Sequence, residues 1–352
     1  MIDVPLVERT RRFFLGRLGE CVALRLVASH PVFAGEPRRP GLEDFPPPPP
    51  PCPPRLAGLL GRYGGPSGPL VRENDGRLEV LLDGDGPRPL DAVADDRFRF
   101  AGARTLAFSR DASGEARAVA LDRLPLSRQT TGAEQEAFRI TPREPLAELR
   151  RRARRDSPPA ERGPFRAVDL VDVASLDATI HLDIRYATAL NFLGAPVYTA
   201  ARAFLQRPAA AGVLAAHRAL AARGFGLLIH DAYRPWWVTK VFWDATPPDQ
   251  REFVADPARG SRHNRGCAVD LTLYRLEDGR RVEMPGGYDE FSERSYPGYP
   301  GGTSRQRWHR DLLRRAMEEQ VFTVFESEWW HFDSARWREY PILNVPFDEI
   351  GP

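Results

Sequence analysis

Residues 261–270 read Ser-Arg-His-Asn-Arg-Gly-Cys-Ala-Val-Asp, and far downstream residues 328–331 read Glu-Trp-Trp-His. The two segments offer two imidazoles, one carboxylate that could join them as a ligand, and one spare carboxylate. Catalytic zinc sites have three protein ligands and keep the fourth tetrahedral position for a water molecule, whose pKa zinc lowers to about 7. The two segments therefore predict a catalytic zinc site with a general base beside it.

The spacing assigns these residues to different local structures. His263 lies seven residues before Asp270, which runs into the apolar residues 271–273, so a loop is expected to carry the first ligand and a strand the second. Glu328 stands three residues before His331, after the β-prone run 321–325. The alternative is that each histidine only satisfies a hydrogen bond in the core, as an isolated histidine often does. The combination of residues favours the metal site.

Five strings in the second half of the chain carry a family resemblance. They are RYAT (185–188) with NF (191–192), DAYRP (231–235), SRHNRGCAVD (261–270) continuing to Leu276, YDEFSERS (288–295) and EWWH (328–331). In this order they resemble the VanX-type D-alanyl-D-alanine dipeptidases of peptidase family M15, over about residues 165–350. The resemblance implies an α+β fold of the hedgehog and DD-peptidase type, with helices packed on a small antiparallel sheet.

The resemblance also implies the metal chemistry. It makes His263, Asp270 and His331 the ligands of one Zn²⁺ per catalytic domain, and Glu328 the base that activates water. Arg234 corresponds to the arginine that polarises the scissile carbonyl. A fixed guanidinium that donates hydrogen bonds where negative charge develops does the work of an oxyanion hole. The alternative is a surface arginine, in a chain rich in this residue.

The same resemblance implies how the substrate is held. Asp289, Tyr186 and Ser261 fall where the family recognises the termini of a dipeptide, and Asp289 would pair with the free ammonium group. The alternative for Asp289 is a solvated acid in a loop. No organic cofactor is implied.

Three departures from the family pattern stand near these strings. His230 precedes the DAYRP string and could be a fourth ligand, although a half-buried strand histidine is the simpler interpretation. Cys267 lies between two ligands, where the family commonly has a small residue. Ser295-Tyr296-Pro297 and the Gly/Pro-rich residues 298–302 leave the shape of the substrate rim open.

The first half of the chain has a different pattern of apolar and turn-forming residues. Turn signals separate short alternating apolar runs between residues 55 and 128, which predicts a small antiparallel β-domain. It weakly resembles the β-domain appended to serine hydrolases of the β-lactamase type, but a Ser-x-x-Lys motif is absent because Trp237 stands three residues before the single lysine, Lys240. We expect a binding or spacer role for it.

We divide the chain into four parts. Residues 1–54 are a leader and Pro-rich linker, 55–128 the β-domain, 129–164 a linker with a basic helix, and 165–352 the zinc dipeptidase domain. The helix is expected over 143–155. It could be a nucleic-acid arm, but a solvated linker is favoured because no aromatic residues interleave its arginines.

Charge and length exclude some classes of protein. Lysine and arginine number 50 against 48 acidic residues, a formal net charge of +2, and this balance does not predict nucleic-acid binding. No apolar run approaches the 18 or so residues of a transmembrane helix. Cys21, Cys52 and Cys267 form neither a C-x-x-C metal pair nor an even disulfide framework.

The location of the protein stays open at this stage. Residues 10–15, Thr-Arg-Arg-Phe-Phe-Leu, resemble a twin-arginine export motif, and Val32-Phe33-Ala34 could pass as a cleavage site. Charged residues interrupt the apolar region between them. A cytoplasmic protein and one exported to the cell envelope through a degenerate leader are both compatible with this segment.

The expected activity is zinc-dependent hydrolysis of D-Ala-D-Ala to two D-alanines, with a small dipeptide as the partner. A first alternative is a D,D-carboxypeptidase or endopeptidase that trims longer peptidoglycan stems, although the family uses the segment 288–295 to close the cleft on a dipeptide. A second is a non-catalytic, zinc-stabilised cell-wall-binding module. Glu328 argues against it, because a structural zinc site has four protein ligands and needs no base. Wall recycling, antibiotic resistance and D-alanine scavenging all use this chemistry, so the sequence does not distinguish these physiological roles. It also leaves the oligomeric state open.

Overall fold

The computed structural model describes residues 41–129 and 138–351. The predictions of an export motif and a cleavage site concern residues before Gly41 and lie outside the described residues. In the described parts of the chain, no helix is both long enough and apolar enough to cross a bilayer.

Nine short strands lie between residues 61 and 127 and form two antiparallel sheets with strand orders β1-β2-β3-β4 and β5-β6-β7-β8-β9. Their bounds are β1 Gly61–Arg62, β2 Leu70–Asn74, β3 Arg77–Leu81, β4 Arg88–Pro89, β5 Asp91–Ala94, β6 Arg97–Phe100, β7 Arg104–Arg110, β8 Ala116–Leu121 and β9 Leu124–Ser127. We call these nine strands the N-terminal β-unit. The β2–β3 hairpin turns through Asp75 and Gly76, both at positive φ, as a two-residue hairpin loop requires.

The N-terminal β-unit buries its own apolar cluster. Strands β3 and β6 alternate buried and more exposed residues, because successive side chains of a strand point to opposite faces. Their inward residues pack with Tyr63 and with Leu56 of a short helix, α1 (Pro54–Ala57), in a cluster separate from the larger one that follows.

The rest of the chain is α+β, as predicted. A five-stranded sheet has the order β11-β13-β14-β16-β15, antiparallel except for the parallel pair β11 and β13. Its strands are β11 His181–Leu182, β13 Phe225–Asp231, β14 Ala268–Arg275, β15 Phe322–Phe325 and β16 Glu328–Ser334; β10 Leu170–Asp172 and β12 Phe204–Gln206 form a separate pair. The helices are α2 Leu146–Ala153, α3 Arg207–Ala221, α4 Trp236–Ala245 and α5 Ser304–Glu318.

Local signals account for the helix boundaries. The basic helix predicted over 143–155 is shorter, Leu146–Ala153. Pro145 immediately precedes it, and a proline disfavours the helical conformation in the residue before it. Helix α5 opens with a capping box, in which Thr303 accepts a hydrogen bond from the Gln306 amide and the Gln306 side chain accepts one from the Thr303 amide.

The register of the central strands assembles the candidate site. Asp270 of β14 lies directly opposite His331 of β16 and, across a bulge in β13, opposite Asp231. His263 lies in the 3-10 turn 263–265 that leads into β14, and Gly266 follows it at a φ of 64°. Glycine adopts this left-handed conformation without the steric penalty of a side chain, so the chain can reverse tightly between the two ligands.

Candidate active site

Three side-chain atoms meet at the point where β14, β16 and the 263–265 turn converge. His263 Nε2 lies 3.1 Å from His331 Nδ1 and 3.3 Å from Asp270 Oδ1. His331 Nδ1 lies 3.1 Å from the same carboxylate oxygen. All three residues are buried. They are the residues that the sequence predicted as metal ligands.

The second nitrogen of each imidazole has a partner that fixes its tautomer. His263 Nδ1 lies 2.6 Å from the carbonyl oxygen of Ala232, and His331 Nε2 lies 2.9 Å from Asp333 Oδ1. Because a carbonyl and a carboxylate can only accept, these nitrogens carry the protons. The lone pairs of His263 Nε2 and His331 Nδ1 therefore face the third residue, which is how metal-ligating histidines are commonly oriented.

This arrangement fits a tetrahedral zinc ion. Bonds of about 2.0–2.2 Å to nitrogen and oxygen separate neighbouring ligand atoms by about 3.3 Å, close to the observed separations. Asp270 Oδ1 is buried and accepts no hydrogen bond of normal geometry, as expected for an oxygen reserved for a metal. Burial alone would raise the pKa of Asp270, but positive charge on the two imidazoles outweighs it and lowers that pKa. A bound cation between the neutral imidazoles would favour the ionised carboxylate in the same way.

Glu328 lies beside this group without belonging to it. Its Oε2 is 3.6 Å from His331 Nδ1, and 17% of its side chain is exposed. Burial, reinforced by the nearby carboxylate of Asp270 and opposed by His331, raises the pKa of Glu328 to about 7. A carboxylate with a pKa near the working pH can both take and return a proton.

Arg234 is buried at the start of the segment after β13. Its Nε and Nη2 lie 2.9 and 2.8 Å from Asp231 Oδ2, and the guanidinium carbon lies 4.8 Å from the centre of the Phe242 ring. Nη2 also lies 3.8 Å from Asp270 Oδ2. The carboxylate of Asp231, which in addition accepts a hydrogen bond of 2.7 Å from Tyr198, thus fixes the guanidinium next to the metal group.

The three residues predicted to bind the substrate termini lie around the same space. Tyr186 donates a 2.8 Å hydrogen bond to Asp289 Oδ2, and Asp289 has a φ of 55°. Burial, with Asp270 adding to it, raises the pKa of Asp289 well above its ordinary value. A positive ligand would offset this penalty. Ser261 is buried, and its Oγ accepts a hydrogen bond from the amide of His263.

All eight residues line one cavity of about 410 Å³. They are Tyr186, Arg234, Ser261, His263, Asp270, Asp289, Glu328 and His331. A larger cavity of about 1190 Å³ lies between the N-terminal β-unit and the second half of the chain and contains none of them. The chemistry of the lining, rather than the volume, identifies the smaller cavity as the candidate site.

His230 and Cys267 take no part in the metal group. His230 is fully buried rather than half-buried as predicted; its ring stacks on Tyr288 with the centres 4.5 Å apart, and Nδ1 lies 3.3 Å from the carbonyl oxygen of Asp183. The metal-binding group found among the described residues does not include it. Burial raises the pKa of the free Cys267 thiol to about 12, so it stays protonated and is a poor nucleophile.

Sequence reasoning gave no role to three residues that support the site. Asp231 holds Arg234, Asp333 holds His331, and Tyr288 donates a 3.1 Å hydrogen bond to Asp270 Oδ2. A signal existed for Asp333, because it follows His331 by two positions on one strand and such residues share a face. Asp231 stands three residues before Arg234 in the quoted DAYRP string. Tyr288 meets Asp270 only through the tertiary fold.

Comparison with known proteins shows the family to which the second half of the chain is similar. The family model Peptidase M15, described as D-ala-D-ala dipeptidase, matches residues 166–345. The D-alanyl-D-alanine dipeptidase of Escherichia coli K12 is 36% identical over 179 residues, which cover 51% of this chain and 91% of that protein. The enzymes of the same name from Enterococcus faecium and Enterococcus faecalis are 35% and 34% identical, covering 49% of this chain and 95% and 93% of their own lengths.

Proposed function

Because the chain belongs to the Peptidase M15 family, a family of metallopeptidases, we propose that it hydrolyses D-alanyl-D-alanine to two molecules of D-alanine. The observation that carries the proposal is a single cavity that contains a three-residue metal group, a carboxylate of raised pKa and a fixed guanidinium. These are the groups that metal-assisted hydrolysis of an amide needs.

We propose that His263, Asp270 and His331 hold one Zn²⁺. When bound, the ion supplies Lewis acidity, which lowers the pKa of water to about 7 and polarises a carbonyl oxygen. The distances among the three ligand atoms and the tautomers set by Ala232 and Asp333 support this assignment.

Glu328 is the general base in this mechanism. Its carboxylate takes the proton of the attacking water as the new C–O bond forms at the scissile carbonyl. It then returns that proton to the amine nitrogen as the C–N bond breaks. Arg234, held by Asp231, donates hydrogen bonds to the carbonyl oxygen as negative charge develops there.

Asp289 and Tyr186 select the substrate. The ionised Asp289 carboxylate pairs with the free ammonium group of the dipeptide, and the hydroxyl of Tyr186 holds the carboxylate in place. Ser261 recognises the other end of the dipeptide. The burial of Asp289 supports this role, because a buried anion without a cation is costly.

We extend the proposal to the architecture. The sheet and packed helices of residues 165–352 would belong to the hedgehog and DD-peptidase fold type, and residues 55–128 would form a separate domain. The two distinct apolar clusters support that division.

The direct test measures D-alanine release by the zinc-loaded protein from D-Ala-D-Ala and from a pentapeptide stem that ends in D-Ala-D-Ala. We expect kcat/KM for the dipeptide to exceed that for the stem by at least about a hundredfold, since the amine of the stem's penultimate D-alanine is part of a peptide bond and gives Asp289 no ammonium group to bind. Equal or faster cleavage of the stem would replace the proposal with a carboxypeptidase. Cleavage of neither, with zinc bound, would support the non-catalytic module.

A further inference from the structure

We propose that the N-terminal β-unit is a brace for the loop that carries Asp289, and that Arg62 is the positioning residue through which it acts. The inference rests on the proposed role of Asp289 in binding the substrate ammonium. The family match begins at residue 166, so the N-terminal β-unit lies outside it. No residue of the unit lines the cavity, so its effect on the site would be indirect.

The chain between the Asp289 loop (residues 286–295) and helix α5 has little to order it from within. Residues 296–302 read Tyr-Pro-Gly-Tyr-Pro-Gly-Gly and contain neither helix nor strand. Glycine increases the conformational freedom of such a segment, and proline removes backbone donors. Contacts from outside the segment must therefore determine where it lies. Helix α5 supplies some of them, because Arg310 donates to the carbonyl oxygen of Tyr299 and Arg307 to those of Gly301 and Gly302.

The first contact from the N-terminal β-unit is the ion pair between Arg62 of β1 and Glu293, in the turn just before the segment. Arg62 Nε and Nη2 lie 2.6 and 2.7 Å from the two oxygens of Glu293, a bidentate arrangement, and the side chains are only 16% and 26% exposed. Arg62 Nη1 also donates a 2.8 Å hydrogen bond to the carbonyl oxygen of Gly68. The guanidinium is thus anchored to the β1–β2 connection while it holds Glu293.

Strand β2 supplies further contacts from the unit. Glu73 is fully buried; its Oε2 accepts a 2.9 Å hydrogen bond from the amide of Ser304, and its own amide donates to the carbonyl oxygen of Gly302. Arg72 donates a 3.2 Å hydrogen bond to the carbonyl oxygen of Pro300. The N-terminal β-unit therefore contacts the turn just before this Gly/Pro-rich segment, Pro300 within it and Gly302 at its end.

The Asp289 loop is tied together internally, so that fixing Glu293 also fixes Asp289. The buried Glu290 carboxylate accepts hydrogen bonds from the amide of Gly287 and the hydroxyl of Ser292, at 2.8 and 2.6 Å. Ser292 in turn caps the 3-10 turn Glu293–Ser295. Hydrogen bonds therefore connect both sides of Asp289 to the turn that Arg62 holds.

The matched control is the Arg110–Asp96 pair inside the N-terminal β-unit. It too is bidentate, with distances of 2.8 and 2.7 Å, and its side chains are 24% and 31% exposed. It does not touch the Asp289 loop. Arg110→Gln therefore removes an ion pair of the same kind and leaves the brace intact.

The experiment compares Arg62→Gln, Glu293→Gln, the double variant and Arg110→Gln, each as the full chain. We expect Arg62→Gln and Glu293→Gln each to raise KM for D-Ala-D-Ala roughly fivefold, because a partly exposed ion pair contributes up to about that factor. The value of kcat should stay nearly unchanged, because the ammonium contact acts in the ground state and the transition state alike. The double variant should be no worse than either single one. Arg110→Gln should leave KM unchanged.

Hydrogen exchange of the amides in residues 286–295 is the second readout, and it needs no activity. We expect faster exchange in Arg62→Gln and parent-like exchange in Arg110→Gln. Equal exchange in these two variants would overturn the brace, and so would faster exchange without a change in KM. A parent protein that does not cleave D-Ala-D-Ala would instead contradict the proposed function, and the exchange comparison would still decide whether the brace exists.

Discussion

Among single residues, Glu328 has a different proposed role from the three ligands: it is the general base, whereas they hold the metal. Glu328→Gln keeps the shape of the side chain but cannot accept a proton from water. We expect zinc content to stay near that of the parent and turnover of D-Ala-D-Ala to fall at least about a hundredfold, the usual scale for a positioned acid-base group. Metal analysis and D-alanine release on the same samples measure both.

Glu326→Gln is the control for this substitution. Glu326→Gln makes the same chemical change two residues away, on an exposed side chain. It should alter neither the zinc content nor the turnover of D-Ala-D-Ala. Near-parent turnover in Glu328→Gln with full zinc content would contradict the assignment of the base. Loss of the metal would make Glu328 a ligand instead.

Asp289 offers a test of how the dipeptide is selected. Acetylating the amino terminus of D-Ala-D-Ala removes the cation that a buried carboxylate needs, so we expect kcat/KM to fall by at least about a hundredfold in the parent. Asp289→Ala should slow the free dipeptide more than the acetylated one, which reduces this discrimination. Efficient cleavage of the acetylated dipeptide by the parent would contradict the dipeptidase proposal.

His230 should make stability sensitive to acid. Burial lowers its pKa from 6.5 to about 4, so between these values the unfolded chain binds a proton that the folded chain does not. The free energy of unfolding therefore falls as pH falls through this range, with His230 contributing roughly 2 kcal/mol of the loss by about pH 5.

His230→Phe keeps a ring against Tyr288 but cannot titrate. Urea unfolding of parent and variant at about pH 7.5 and about pH 5 should show a smaller acid-induced loss in the variant. Protonation of the ligand histidines affects both proteins alike and cancels in the comparison. Equal losses would show that His230 does not carry this pH dependence.

Much of the site could be predicted from residues that stand in short motifs. His263, Asp270, Glu328 and His331 lie within two strings whose chemistry is readable, and the structure brings all four to one cavity. Tyr288, which donates a hydrogen bond to the second carboxylate oxygen of Asp270, is 18 residues away in sequence. Only the tertiary fold brings it close, so no local pattern could assign it.

At the scale of the element, the N-terminus of helix α5 depends on a residue from another sheet. The carboxylate of Glu73 accepts hydrogen bonds from the amide and hydroxyl of Ser304, where the helix dipole favours a negative charge. Glu73→Gln should therefore lower the free energy of unfolding by roughly 1–2 kcal/mol.

Glu115→Gln is the control for this prediction, since its carboxylate is 48% exposed and pairs with Arg128 at the surface of the same unit. It should change stability by less than about 0.5 kcal/mol. Thermal unfolding of both variants against the parent makes the comparison. A Glu73→Gln protein as stable as the control would show that Glu73 does not stabilise α5.

The start of a helix can be predicted from sequence where residues next to it mark the boundary. The capping box of Thr303 and Gln306 is a local signal for the start of α5, whereas the basic run 143–155 begins three residues before α2, which starts after Pro145. The contact of Glu73 with Ser304 spans 231 positions. Periodicity and turn signals carry no information on such a pairing.

For the whole molecule, the two halves of the chain differ in how much of their fold can be predicted from sequence. The second half has short motifs whose chemistry is readable, and its α+β architecture could be predicted. The first half has only turn signals and alternating apolar residues, which indicate strands but not what they pack against. Whether residues 55–128 fold as an independent domain stays a prediction.

The central claim is that one zinc ion in the His263–Asp270–His331 group makes this chain a D-Ala-D-Ala dipeptidase. It is tested most directly by adding zinc stepwise to the metal-free full chain and measuring bound zinc and D-alanine release together. We expect release to rise in proportion to bound zinc and to level off at about one ion per chain, as a three-ligand catalytic site requires. Release from D-Ala-D-Ala without metal, or no release from a chain that has bound its zinc, would contradict the account.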